Sequence, residues 1–144
     1  IAEFIERHED ALAWYASVPG GPQRAQARLR TATVLHKLER DEEAFARLRA
    51  LQADAEADDE TRRDAYMLEA ELHKDDRAPD AELDAYARGL AAYPDDVPLL
   101  YSRALMWERR DDIPRAEADL RRILAIDADD VNALNALGYT LADR

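Results

Sequence analysis

Side chains suited to acid–base or nucleophilic chemistry are few in this chain. None of the three histidines, His8, His36 and His73, lies four residues from another, so no His-Glu-x-x-His pair for zinc exists. The two serines, Ser17 and Ser102, have no neighbouring histidine in the sequence to act as a base. His36 and His73 fall on corresponding predicted helices and could line one surface, although solvated or groove-rim histidines are the favoured interpretation. We expect a protein that is not an enzyme.

Pairs of adjacent aspartates are the other candidates for chemistry, as calcium ligands. An EF-hand loop needs alternating oxygen ligands, a glycine at its sharp turn and a distal glutamate, and none of these pairs has that glycine. The pairs fall at predicted turns and helix starts, where aspartate accepts hydrogen bonds from free N–H groups and suits the helix dipole. We interpret them as helix caps and expect no metal and no cofactor. The pairs are Asp58-Asp59, Asp75-Asp76, Asp95-Asp96, Asp111-Asp112 and Asp129-Asp130.

The overall charge narrows the class of partner. The formal net charge is −12, which disfavours binding to the phosphates of nucleic acid and favours a basic or apolar protein partner. The chain has no cysteine, which removes thiol catalysis and disulfides. No stretch approaches the roughly 20 apolar residues that a membrane-spanning helix needs. We therefore expect a protein or peptide partner and no direct membrane span.

Helical spacing is clearest between Val97 and Asp130. Leu100, Ala104 and Trp107 recur at i, i+4 and i+7 and share one helical face. Pro114 then suits the first turn of a second helix, where its missing N–H is no loss. Good helix formers dominate the composition and no hairpin signal occurs, so we predict an all-α chain.

The same pattern returns at a spacing of 34 residues. Ala104 corresponds to Ala70 before it and Gly138 after it, and Leu100 corresponds to Leu134. A helix-turn-helix period of this length, with a small residue where two helices cross, resembles the tetratricopeptide repeat. The residues that carry the resemblance are Ala70, Ala104 and Gly138 in first helices, Ala44 and Ala116 in second helices, Pro94 at a repeat boundary, and Leu134-x-x-Leu137-Gly138 as part of the usual opening motif. Thr31, Glu69 and Arg103 stand where that leucine would be.

The resemblance implies an open, right-handed superhelix of antiparallel helix pairs, an α-solenoid of about four repeats with incomplete outer ones. We divide the chain into a partial repeat at 1–21, repeats at 22–58, 59–95 and 96–130, and a first helix alone at 131–144. In the partial repeat we expect a turn at His8 to Asp10 between two short helices, and a helix stop at Pro19 to Pro22. Four extra residues lie within Ala53 to Glu60, either as a loop or, as we favour, as an extension of the preceding helix.

The last helix presents Leu134, Leu137 and Leu141 with no following helix in the chain to cover them. We expect it to fray or to self-associate. The chain begins with Ile1 rather than methionine, and we expect it to be part of a longer protein.

The resemblance also implies a groove, lined by the first helices, that binds a peptide or helical segment of a partner protein. We predict that an adaptor or scaffold function resides there, the alternatives being a structural spacer and a regulatory repeat domain of an enzyme. Leu29 and Thr33 stand where a carboxylate clamp would need Lys and Asn, so a clamp for C-terminal carboxylates is not expected. The predicted groove residues are Leu29, Thr33, His36, Lys37, Met67, Glu71, Lys74, Tyr101, Leu105, Glu108, Arg109, Asn135 and Tyr139.

Two short segments, Ala11 to Gly21 and Ala133 to Arg144, look like parts of long bacterial repeat proteins, some of which are lipoprotein adaptors in the periplasm. That likeness implies a periplasmic or outer-membrane-associated location, with the cytoplasm as the alternative.

Overall fold

Eight α-helices make up the regular structure of the residues described by a computed structural model, 2–18 and 22–142, and these residues contain no strand. The predicted all-α fold is confirmed. The helices are α1 (Ala2–Ala16), α2 (Pro22–Lys37), α3 (Asp41–Gln52), α4 (Asp59–Asp75), α5 (Pro79–Ala92), α6 (Val97–Arg109), α7 (Ile113–Ile126) and α8 (Val131–Ala142).

The chain forms two compact units, Ile1–Ala85 and Tyr86–Arg144, with the boundary inside α5. In the first unit α2 packs against α1, α3 and α4, and α3 packs against α4. Its core is a cluster of small and branched residues contributed by α2, α3 and α4, namely Ala32, Leu48, Leu51, Ala65 and Leu72. In the second unit α6 packs on α7, and α7 packs on α8.

None of the described helices is long and apolar enough to cross a membrane.

Small residues occupy the positions that the repeat pattern assigned to close packing. Ala44, Ala70, Ala104 and Ala116 are all buried. Gly138 is different, because a Cβ built on it meets no described atom within 4 Å. Its freedom reflects the open face of α8 rather than a close helix crossing.

Three turns between helices share one geometry. Glu39, Arg77 and Asp111 each have a φ near +60°, the left-handed region, and each lies two residues after the last residue of a helix. In each turn the N–H of the next residue donates to a carbonyl five residues earlier, for example Ala78 N to His73 O at 2.9 Å. This is the Schellman pattern that satisfies the last carbonyls of a helix. The turns thus repeat structurally although none contains glycine.

Four of the five aspartate pairs cap the start of a helix as the sequence predicted, whereas Asp75-Asp76 stands at the end of α4 and Asp76 contacts His36. The side chain of Asp58 accepts from Thr61 N at 2.7 Å, and that of Asp96 accepts from Leu99 N at 2.9 Å. Asp112 and Asp130 make the equivalent bonds at the starts of α7 and α8. Because these bonds satisfy N–H groups that have no partner within a helix, they explain where α4, α6, α7 and α8 begin.

Two expectations about helix ends are wrong. Residues 2–16 form one continuous helix, so there is no turn at His8, whose ring instead hydrogen-bonds to Phe4 O at 2.7 Å, one turn earlier. The segment from Ala53 to Asp58 is a loop and does not extend α3. The side chain of Asp54 accepts from Glu56 N at 2.9 Å, and this local bond competes with helix continuation. The predicted stop at Pro19 to Gly21 lies outside the described residues.

The last helix is covered in part. Ala133, Leu137 and Thr140 are buried on one face of α8, which packs on α7. Leu134 and Leu141 are exposed. The expectation that Leu137 is uncovered is therefore wrong, whereas Leu134 and Leu141 match it. The repeat divisions at 21, 58, 95 and 130 stay predictions.

Candidate functional site

The predicted groove residues lie on α2 and α4 in the first unit and on α6 and α8 in the second. In the first unit they form the α2–α4 face, which comprises Leu29, Thr33, His36, Lys37, Met67, Glu71 and Lys74. In the second unit they form the α6–α8 face, which comprises Tyr101, Leu105, Glu108, Arg109, Asn135 and Tyr139.

The α2–α4 face is largely polar at its surface. Lys37, Glu71 and Lys74 are exposed, and Met67 is half-buried. Leu29 packs against the core of the unit, so little of it is available to a partner. The Thr33 hydroxyl lies 3.4 Å from Leu29 O of its own helix. Lysines, a glutamate and a thioether are therefore the groups that this face can offer.

His36 and His73 do come together, as the pattern suggested, and they meet around the aromatic ring of Phe45, which belongs to α3. The Phe45 ring stacks on His73 with centroids 4.3 Å apart, and it meets His36 edge-on at 6.2 Å. His36 Nε2 lies 2.8 Å from an Asp76 carboxylate oxygen. The His36 and His73 side chains are only 15% and 12% exposed, so the expectation that they are solvated is wrong.

Beneath this cluster lies a buried carboxylate. The side chain of Glu69 is fully buried and accepts a hydrogen bond from Gln52 Nε2 at 2.8 Å. His73 Nε2 lies 3.2 Å from its other oxygen, and Arg49 Nη2 lies 3.6 Å away. Glu69 occupies the position of the usual leucine, and its partners from α3 and α4 compensate its charge. The arrangement joins α3 to α4 and contains neither serine, since Ser17 caps the end of α1 and Ser102 lies in the other unit.

The α6–α8 face is the more apolar one at its surface. Leu105 is 45% exposed and Tyr139 is 71% exposed. Tyr101 is half-buried, and Arg109 and Asn135 are exposed. Large apolar side chains thus stand in solvent beside a cation and an amide, a combination that suits a protein partner.

One hydrogen bond ties the two helices of this face together. The Thr140 hydroxyl donates to Glu108 Oε2 at 3.2 Å and so links α8 to α6. Glu108 is half-buried, and this bond takes up part of its capacity to contact a partner. Among residues 2–18 and 22–142, no group of three or more His, Asp or Glu side chains could hold a metal ion.

The comparisons with known proteins agree with this architecture. A TPR repeat-containing protein from Pseudomonas aeruginosa is 41% identical over 134 residues, which are 93% of this chain and 22% of that protein. The chain is a tetratricopeptide-repeat array. No family model matches it. The chain spans about a fifth of the length of this curated relative, whose name states neither a compartment nor a lipid anchor.

Solved structures show the same tetratricopeptide-repeat fold. A tetratricopeptide-repeat protein from Parabacteroides merdae matches 92% of this chain and 50% of its own, with a TM-score of 0.58 and 18% identity. A C-terminal TPR-containing domain from Plasmodium falciparum matches 84% of this chain and 88% of its own, with a TM-score of 0.53 and 14% identity. Tetratricopeptide repeats generally mediate protein–protein interaction.

Proposed function

We propose that this tetratricopeptide-repeat array is a non-catalytic scaffold that binds a peptide or helical segment of a partner protein. The observation that carries the proposal is the exposure of Leu105 and Tyr139 on the α6–α8 face. Each is a large apolar side chain, and its removal from water by a partner would lower the free energy of the complex. Aromatic anchors with a neighbouring arginine, here Arg109, are the groups that most often dominate binding at protein interfaces.

The polar residues around these anchors set which partner is accepted. Asn135 offers an amide donor and acceptor, and Arg109 offers a planar guanidinium. The net charge of −12 favours a partner that is basic outside its apolar contacts. An amphipathic helix with apolar residues on one face and lysines or arginines on the other fits these requirements.

The test is selection of a phage-displayed library of random linear peptides on the purified chain, followed by affinity measurement of the enriched peptides by fluorescence polarisation. We expect Leu105→Ala with Tyr139→Ala to weaken binding by about tenfold or more, because both anchors are removed. The matched control is Ile126→Ala with Val131→Ala, which removes two apolar side chains that are also exposed in the second unit. It should leave the affinity unchanged.

Two results would overturn the proposal. One is no enrichment above uncoated beads, which favours a structural spacer. The other is equal weakening by the anchor pair and by the control pair.

Self-association through α8 is a separate proposal, motivated by the exposure of Leu134 and Leu141. Sedimentation velocity should show a concentration-dependent dimer that is lost in Leu134→Gln with Leu141→Gln, and a monomer at all concentrations would contradict it.

A further inference from the structure

A cavity of about 540 Å³ lies between α1, α2 and α3 of the first unit, apart from the α2–α4 face. Apolar side chains line part of it, among them Leu12, Leu35 and Ala50. Four arginines also line it, namely Arg24, Arg28, Arg40 and Arg47, against two glutamates. A local excess of positive charge beside an apolar wall is unusual in a chain with a net charge of −12.

The cavity coincides with a change in the repeat pattern of α2. Arg28 stands at the repeat position that Leu100 and Leu134 occupy in later repeats, and Thr31 stands at the position of Leu137. Thr31 is shorter than leucine, and its hydroxyl donates back to Ala27 O at 2.7 Å. Thr31 lines the cavity together with polar side chains, so a leucine at this position would occupy part of its volume.

Two of the arginines are neutralised by neighbouring carboxylates. Arg28 pairs with Asp54 at 2.6 Å. Arg40 pairs with Glu9 of α1 and Glu43 of α3, each at 3.0 Å, and so holds these two helices at the rim.

Arg24 and Arg47 carry charge that is not compensated in this way. Arg24 donates to the carbonyl of Val18 at 3.3 Å, a neutral acceptor. Arg47 forms no hydrogen bond or ion pair with any residue in the described part of the chain. Both guanidiniums can therefore receive an anion without first losing a carboxylate partner.

We propose that this cavity binds a small molecule that carries a carboxylate or phosphate group on a short apolar body. The planar fork of an arginine matches either anion with paired hydrogen bonds. The aliphatic wall around Leu12 and Leu35 accepts the apolar part. The volume lies within the range of small-molecule sites. None of the α2–α4 face residues lines the cavity, and the proposed peptide-binding residues of the α6–α8 face belong to the other unit, so the two sites share no residue.

Binding of three probes of equal chain length tests the head group. Hexanoate, hexyl phosphate and neutral hexanamide are titrated into the isotopically labelled chain at low salt, with amide chemical shifts as the readout. We expect at least one anion to shift the amides of residues around Arg24 and Arg47, and hexanamide to bind about tenfold more weakly or not at all. The stronger anion identifies carboxylate or phosphate as the preferred head group. Equal binding of hexanamide, or no shift with either anion, would overturn the proposal.

Two variants test the site itself. Arg24→Gln with Arg47→Gln should weaken anion binding by about tenfold, whereas Arg121→Gln with Arg122→Gln, which removes the same charge in the other unit, should leave it unchanged. Thr31→Leu restores the bulk found at this position in the last repeat, so it should abolish binding while the melting temperature holds or rises. Anion binding that survives Thr31→Leu in a folded chain, or that falls equally in the two arginine pairs, would contradict the assignment.

Discussion

The guanidinium of Arg103 donates two hydrogen bonds to the carboxylate of Asp119, from Nε at 2.8 Å and from Nη2 at 2.7 Å. The pair joins α6 to α7, and the Asp119 side chain is 8% exposed. Arg103 stands at the position where Leu137 supplies the usual leucine in the last repeat. A partly buried ion pair at this position therefore replaces an apolar contact.

Breaking this pair should destabilise the second unit strongly. Arg103→Ala leaves the Asp119 carboxylate buried without its partner, and we expect the free energy of unfolding to fall by about 3 kcal/mol. Chemical denaturation measures the change. The double change Arg103→Leu with Asp119→Leu removes both charges and should come close to the wild type or exceed it. A double variant as unstable as Arg103→Ala would contradict this account.

Larger side chains at the repeat position that holds Ala104 in α6 and Gly138 in α8 should have opposite effects on stability. Ala104 is buried, and leucine there overpacks the α6–α7 contact, so Ala104→Leu should cost about 1–3 kcal/mol. Gly138 has open space around it inside a helix, and Gly138→Ala should stabilise by about 0.5–1 kcal/mol. Thermal unfolding followed by circular dichroism checks both changes. Equal effects at the two positions would mean that they are not packed as described.

Trp107 should be the most sensitive aromatic residue of the second unit. It is buried in α6, and the Arg115 guanidinium lies 4.9 Å from its ring centroid. Trp107→Ala should cost about 3–5 kcal/mol because it leaves a large cavity. Arg115→Ala serves as the comparison, since it removes the cation but keeps the ring. A loss of stability in Arg115→Ala as large as that in Trp107→Ala would show that the cation, not ring burial, dominates.

A left-handed turn residue offers a stabilising change. Arg77 has a φ of 56°, which costs an L-residue free energy that glycine avoids. Arg77→Gly should raise the free energy of unfolding by about 0.5–1 kcal/mol. Arg77→Ala also removes the side chain but keeps a Cβ, so it should give no such gain. Equal behaviour of the two variants in chemical denaturation would contradict the assignment of strain to this turn.

The Asp58 cap makes stability depend on acidity. Hydrogen bonds from the Thr61 hydroxyl, and then from its backbone N–H, hold the pKa of the Asp58 carboxyl below its ordinary value of 3.8. The pKa of Asp54 is also lowered, mainly by its hydrogen bond from the Arg28 guanidinium and next by that from the Glu56 N–H. A carboxyl with a lowered folded pKa stabilises the fold above its unfolded pKa, and this contribution is lost as pH falls through the folded value.

Asp58→Asn tests this dependence, because asparagine still caps the helix but does not titrate. The variant should melt below the wild type at neutral pH, and the difference should shrink as pH falls below about 4. Melting temperatures measured along a pH series give the comparison. A difference that stays constant across the series would show that the charge of Asp58 has no part in it.

The sequence alone determined the features that depend on local or periodic patterns. Helical spacing predicted the α6–α7 hairpin and placed Ala104 and Trp107 on one helical face, because the direction of a side chain around a helix follows from its position in the sequence. Aspartate chemistry predicted the caps, since an aspartate bonds N–H groups only two or three residues away. The family fold followed from the 34-residue spacing for the same reason.

Tertiary structure decided what depends on helices that are distant in sequence. Helix propensity favoured extending α3 through Ala53 to Glu60, but the side-chain bond of Asp54 to Glu56 N and its ion pair with Arg28 of α2 favour a loop. The Gln52 partner of Glu69 comes from a different helix, and no periodic pattern names it. Leu137 is buried where α8 packs on α7, and the arginine-lined cavity exists only where α1, α2 and α3 meet. These contacts arise from packing in three dimensions, which spacing along one helix does not encode.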